Sequence, residues 1–227
     1  MKELAFPVLT YTLLRNYESC ERKAWHYNIA KTVPYEKSDA QDWGKAAHDA
    51  LAARVHRGTP LPGGFEHYER FCQFPAGYRI ATEKKMGMKV DGSPCGFFDP
   101  DVAVRGVADV VIEGQPLSQQ AALVDWKTGG NKKYTDDSEL RLHALLFKSH
   151  NKHIESIKGW YVWLKDGEVG KPYDLSDFAG TWAELAKARR DITERMKYGP
   201  DGFSPTESPL CSYCNVFSCE LNPRRAR

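Results

Sequence analysis

The residues whose types and spacing could do chemistry are Asp109 and the triplet Asp125-Trp126-Lys127. Side chains alternate faces along a strand, so Asp125 and Lys127 share one face with Leu123, while Ala122, Val124 and Trp126 take the other. An Asp and a Lys on an otherwise apolar strand are costly to bury unless they are paired or bind something. Gly106-Val107-Ala108-Asp109 puts a second carboxylate on the preceding apolar strand, and two carboxylates on neighbouring strands suit Mg²⁺ or Mn²⁺. Asp-x-Lys alone turns up about once by chance in a chain of this size. By itself it reads as a cross-strand salt bridge at a sheet edge, and the metal reading comes from its conjunction with Asp109 across a short turn. His48 precedes both on a helix and, taken alone, reads as a satisfied core histidine rather than a further ligand. Glu83, by strand parity, falls on the more polar side, away from Ile80 and Met86, as a solvated or functional carboxylate.

A second constellation lies near the C-terminus. Cys211-x-x-Cys214-x-x-x-x-Cys219 puts three thiols within nine residues. Cys20, on the expected buried stripe of the first helix, is the candidate fourth ligand; without the tail it reads as a small buried apolar residue. Four thiolates suit Zn²⁺ or an iron–sulfur cluster. Cys72 and Cys95 have no metal-like spacing and read as ordinary thiols.

These residues need elements to position them. Thr10 to Ala30 reads as a helix with the stripe Leu13, Tyr17, Cys20, Ala24 and Tyr27, and Ala40 to Arg57 as a second with Ala47, Leu51 and Val55 on one face. Thr59–Gly64 is a loop. Ile80–Val90, Val102–Ile112 and Ala122–Thr128 read as strands, the last two joined by the hairpin-type connection Gly114–Gln120 and therefore antiparallel. Glu139–His150 is helical, Gly159–Leu164 is a buried strand, and Asp166-Gly167 is a turn. Asp174–Tyr198 reads as a long helix whose stripe Phe178, Trp182, Leu185, Arg189, Ile192 and Met196 is interrupted by Arg189. The expected architecture is α/β, a mixed central sheet flanked by helices. No linker demands two independent domains, so residues 1–227 read as one, with a catalytic core over 40–200.

The 227 residues are 41% hydrophobic and 27% charged, which excludes disordered and collagen-like chains. No run of 18 apolar residues exists, which excludes a multi-pass membrane protein. A net charge of +2 argues against coating nucleic acid by bulk charge but leaves a local basic groove open. Met1–Leu14 lacks a signal-type cleavage site, and the expected location is cytoplasmic. There, clustered cysteines point to metal or redox chemistry.

Gly106-x-x-Asp109 followed by Asp125-x-Lys127 resembles the core of PD-(D/E)XK nucleases, whose fold is restriction-endonuclease-like. Gly44-x-x-x-His48 resembles the histidine motif of the RecB-like branch. Cys20 with its flanking residues and Cys211, Cys214 and Cys219 are similar to the segments that bind a [4Fe–4S] cluster in AddB-type and CRISPR-associated members. There the cluster ties the chain ends together, here residues 10–30 and 205–221. The last cysteine spacing is four residues where five is common, and Zn²⁺ stays as the alternative at this site.

The resemblance implies metal-dependent phosphodiester hydrolysis. Asp109, Asp125, His48 and the Trp126 carbonyl would be metal ligands, and Lys127 would be catalytic with Asp109 and Asp125. Glu83 matches a Glu often found on the first strand. Glu139-x-x-x-His143 stands where Q-x-x-x-Y is usual, so Glu139 and His143 are site contacts or, for Glu139, an exposed helix residue. The implied substrate is single-stranded DNA or DNA ends, cut by an exonuclease in recombination, repair or phage DNA processing, alongside recombination or replication proteins. The alternative is a non-catalytic DNA-binding or adaptor protein of the same fold, stabilised by a Cys₄ zinc site. A terminal basic run, Arg224-Arg225-Ala226-Arg227, reads as a solvated tail.

Overall fold

The computed structural model describes residues 6–34, 36, 38–115, 118–129 and 135–225. Ala226 and Arg227 of the basic tail, Met1–Ala5 of the leader-like stretch, and Pro116 and Leu117 of the hairpin connection lie outside them. The described chain forms two compact units: residues 37–182, and residues 1–36 with 183–227.

The larger unit is built on a mixed sheet. Its strands are β1 (Arg79–Met88), β2 (Pro94–Cys95), β3 (Val104–Glu113), β4 (Gln120–Lys127), β5 (Ser156–Trp163), β6 (Glu168–Val169) and β7 (Tyr173–Asp174). They run in the order β2-β1-β3-β4-β5-β6, with β7 also on β5. The β1–β3 and β3–β4 pairs are antiparallel, and β4–β5 is parallel. A parallel pair needs a crossover, supplied by helix α4 (Ser138–His150).

Helix α3 (Asp39–Arg57) packs on one sheet face. Ser38 and Gln41 form a reciprocal capping box at its start, and Gly58 ends it at φ 67°. Its Ala47 and Leu51 meet Val110, Val124, Trp126, Val162 and Leu164 in one buried cluster, joined by Tyr68 from the 3₁₀ turn Glu66–Cys72. The opposite face receives α4, whose Leu140, Leu142, Leu146 and Phe147 are fully buried. Strand Ile80–Val90 of the sequence reading ends at Met88. The expected long helix starts at Phe178 as α5 (Phe178–Met196), because Tyr173 and Asp174 pair with β5 and Asp174 then caps the turn through Ser176.

In the terminal unit the first helix is not continuous. It divides into α1 (Tyr11–Ser19), α2 (Glu21–Ala24) and a π-helical turn Trp25–Ile29. The break falls on Cys20, whose backbone is extended (φ −167°, ψ 108°). Cys20 is therefore half-exposed at a corner, not on a buried stripe as the spacing suggests. Trp25 packs on the fully buried Phe203 at 5.1 Å between ring centres. Arg22 Nε donates to the Phe203 carbonyl at 2.7 Å, and Arg195 pairs with Glu21 at 2.9 Å. The first bond joins the N-terminal helices to the tail, and the second joins them to α5. Arg189, which interrupts the α5 stripe, lies over the Phe6 ring at 3.8 Å. Among the described residues no helix is long and apolar enough to cross a membrane.

Candidate active site

The two sheet faces exchange partners midway along β1 and β3. At one end, Ile80 on β1 and Val110 and Ile112 on β3 pack toward α3. At the other, Lys84 lies over Phe147 of α4, and a Cβ on Gly106 would fall 2.7 Å from His143 of α4. All of these positions are even-numbered, so strict alternation fails between them. Glu83 marks the failure on β1: its φ is +50°, left-handed and rare for a side-chain-bearing residue in a strand. The ladder pairs Thr82 with Val110 and Lys84 with Ala108, which leaves Glu83 opposite Asp109. The parity that put Ile80 and Met86 on one face and Glu83 on the other thus fails for a local reason, one inverted residue, and of the two readings open for Glu83 the contact with His48 and Asp109 places it at the site.

On β3 and β4 the last ladder pair is Val110–Val124. Beyond it the Asp109 carboxylate takes over, accepting the Trp126 N–H at Oδ2 over 2.7 Å. Its Oδ1 faces His48 Nδ1 of α3 at 3.3 Å, and Glu83 Oε1 lies 3.9 Å from the same nitrogen. His48, Glu83 and Asp109 each offer a ligand atom, all within 4.8 Å of one another, the sole such group among the described residues. Glu83 Oε1 is buried without a hydrogen-bond partner.

Val124 and Trp126 belong to the α3 core, so Asp125 and Lys127 project toward α4. Lys127 Nζ is 2.9 Å from Asp125 Oδ2 and also contacts Glu139 at the start of α4. Glu139 is therefore an enclosed partner of Lys127, not an exposed helix residue. His143, one helical turn on, is buried against Gly106.

The charges hold one another in place. Burial pushes the Asp109 carboxyl above the usual range, and the Asp125 charge adds to this. Burial likewise raises Glu83, and raises Glu139 to about 7 with help from Asp125. Burial works against charge on Lys127, but Asp125 and Glu139 outweigh it and hold the ammonium above the ordinary lysine range. Burial also opposes the His48 imidazolium; the Asp109 hydrogen bond and charge prevail and bring it to about 9. Burial depresses His143 to about 4.

Two glycines explain their motifs. A Cβ at Gly44 would meet Thr128 Oγ1 at 2.9 Å, so glycine lets α3 bring His48 up to the end of β4. Gly106 does the same for His143. A groove of about 540 Å³ opens over the site, lined by Gln41, Lys45, His48, Glu83, Thr128 and Lys165 among others. Lys45 and Lys165 were not legible as site residues. Lys45 directly follows Gly44 of the histidine motif, and that adjacency is the sequence signal that could have found it.

Cys20, Cys211, Cys214 and Cys219 all lie in the terminal unit. Cys20 Sγ accepts the Thr206 N–H at 3.4 Å, and Cys211 Sγ lies 3.8 Å from the carbonyl of the same residue. Among the described residues no three thiols gather within 4.8 Å.

A family model described as the PD-(D/E)XK nuclease superfamily matches residues 64–219. No curated protein matches the chain. Among solved structures, a protein of Eubacterium rectale, assigned as an exonuclease by inference, has a TM-score of 0.51 at 10% identity, covering 97% of this chain and 89% of that one. The crystal structure of SSO0001 has a TM-score of 0.43 at 15% identity, covering 96% and 88%. At such identity the likeness of the first concerns the fold alone.

Proposed function

The chain belongs to the PD-(D/E)XK nuclease superfamily, and from that membership we propose that it is a divalent-metal-dependent DNA nuclease. It acts as an exonuclease on single strands or DNA ends, in recombination, repair or phage DNA processing. The observation that carries this reading is the meeting of His48, Glu83 and Asp109 beside the Asp125–Lys127 pair.

Mg²⁺ or Mn²⁺ would be held by His48, Asp109 and Asp125, with the Trp126 carbonyl and Glu83 adjoining. The donors suit a hard or borderline cation, and the unpartnered Glu83 Oε1 is a buried atom that a cation would satisfy. Bound there, such an ion activates the attacking water and offsets charge on the transferring phosphoryl group. Asp109 is fixed by the Trp126 N–H, which leaves Oδ1 directed at His48. His48 must release its Nδ1 proton before that nitrogen can act as a ligand. Lys127, kept charged between Asp125 and Glu139, orients the water and neutralises charge developing at phosphorus.

At the other constellation, Cys20, Cys211, Cys214 and Cys219 are assigned to a structural [4Fe–4S] cluster, with Zn²⁺ as the alternative. Tetrahedral Zn–S bonds of about 2.3 Å would bring thiolates to about 3.8 Å. No three described thiols come that close, and a four-iron cube spreads its ligands more widely.

The test is digestion of single- and double-stranded DNA, end-labelled at 5′ or 3′, with Mg²⁺ or Mn²⁺, by wild type and Lys127→Ala. Ladder-wise loss from one end by wild type alone is expected. Equal digestion by both proteins would sink the assignment of hydrolysis to this site, and no digestion by either would leave a non-catalytic DNA-binding protein of this fold.

A further inference from the structure

The inverted face of β1 and β3 continues past the metal-ligand row. Two residues beyond Glu83, about 7 Å along the strand, Lys85 is exposed, and it pairs with Val107. Gly87 pairs with Arg105, which is four residues, about 13 Å, from Asp109. Neither Lys85 nor Arg105 makes an ion pair among the described residues.

The connection from β2 to β3 lies against this strip. Phe97 and Phe98 stand edge to face with ring centres 4.9 Å apart. The Arg105 guanidinium lies over Phe97 at 4.8 Å and the Lys85 ammonium over Phe98 at 5.7 Å. Phe98 is nevertheless 75% exposed, a large apolar ring left in water.

The loop is built to hold its rings out. Asp99 N–H donates to the Gly96 carbonyl and Val102 N–H to the Asp99 carbonyl, each at 3.1 Å. The loop also lies so close to β1 that a Cβ on Gly87 would fall 2.6 Å from the Gly96 carbonyl oxygen. Its acidic members, Asp99 and Asp101, share the single cation Lys89, which leaves one negative charge among the three. Against it stand Lys85 and Arg105 over the rings, so the strip as a whole carries a net positive charge.

An exposed Phe98 ring beside the half-buried Phe97, with Lys85 and Arg105 over the pair and a net positive charge, fits an unpaired nucleic acid strand. Bases stack on the rings, phosphates meet the cations, and every base has a face to offer. A duplex keeps its base faces stacked inside and cannot use Phe98. From the juxtaposition of Phe97, Phe98, Lys85 and Arg105 along the strands that carry Glu83 and Asp109, we infer that this loop is a stacking platform for single-stranded DNA. It holds the strand a few nucleotides from the site of hydrolysis. The inference rests on the nuclease reading for its substrate but stands on its own geometry.

The experiment is fluorescence anisotropy with a 5′-fluorescein-labelled oligothymidylate of about 20 nucleotides, enough to span one such groove, in Ca²⁺ to prevent digestion. Wild type, Phe98→Ala and Phe98→Trp are titrated against this strand and a labelled duplex of equal length. Stacking on one base predicts that Phe98→Ala binds the single strand about tenfold more weakly. Phe98→Trp should restore binding, and duplex affinity should stay within about twofold of wild type. Equal single-strand affinity of wild type and Phe98→Ala, or a parallel loss on duplex, overturns the platform. Mg²⁺-dependent digestion by wild type, run alongside, separates the two readings. Digestion with Phe98-independent binding sinks the platform alone; Phe98-dependent binding without digestion sinks the nuclease assignment and leaves the platform.

Discussion

Lys127 is enclosed by two carboxylates from different elements, Asp125 on its own strand and Glu139 on α4. Replacing it with Met should lower the hydrolysis rate at least about 10²-fold, the usual cost of losing a charge aimed at the transition state. The same change leaves two buried carboxylates without a counter-ion and should destabilise the metal-free protein by about 3 kcal/mol. Thermal melts with and without Mn²⁺ read the second effect, and added metal should recover part of it. His143 offers a pH signature. The unfolded chain binds this proton near pH 6.5, the folded chain only near pH 4. The unfolded state therefore holds more protons between those values, and stability falls as pH drops through that window. His143→Gln should flatten this acid limb in denaturant titrations under chelator. A limb as steep as wild type would show that other groups produce it. His48 acts at the opposite end: in the metal-free protein its contribution is full below pH 6.5 and is lost as pH rises through about 9.

At the scale of elements, the site depends on two close approaches and one inverted residue. Gly106→Ala drives a methyl into the His143 ring, so α4 must shift from β3. The expected cost is about 1–3 kcal/mol, relieved in Gly106→Ala/His143→Ala; no relief in the double variant would locate the strain elsewhere. Glu83 holds a left-handed conformation that favours glycine. Glu83→Gly should stabilise the metal-free protein by about 1 kcal/mol while weakening Mn²⁺ binding, and calorimetry on the two proteins measures both. A residue kept in a costly conformation beside the ligands is consistent with selection for the site over stability. Most elements were legible: β3 and β4 are largely apolar strands, and α3 has an N-terminal capping pair and a C-terminal glycine. The break at Cys20 was not, because the apolar residues on either side of it keep a helical spacing and Ser19-Cys20 carries no Gly or Pro.

For the whole molecule, both chain ends share one compact unit that contains all four clustered-spacing cysteines. If they bind a cluster, Cys214→Ser should abolish the broad visible absorption of anaerobically purified protein. Limited proteolysis should then cut first within residues 1–36 or 183–227, while residues 37–182 persist. A colourless wild type carrying one zinc per chain would replace the cluster with the Cys₄ zinc alternative. His48, Glu83, Asp109, Asp125 and Lys127 lie in the other unit, so Cys214→Ser separates loss of the terminal unit from loss of the proposed chemistry.

The sequence by itself determined which residues are chemically unusual for their surroundings. Asp109, Asp125 and Lys127 interrupt apolar strands, His48 follows a glycine by one helical turn, and the thiols crowd at one end. Burial patterns also set the α/β order, because apolar periodicity is a local property of the chain. Only the tertiary structure decided how these residues meet. Glu83 joins His48 and Asp109 because one left-handed residue inverts the strand, and Glu139 reaches Lys127 because α4 returns across the sheet. Phe97 and Phe98 gain their cations from β1 and β3, partners as far as 13 positions away. Strand parity and helix spacing carry no information about a backbone inversion or a long-range approach, and those are what assemble this site.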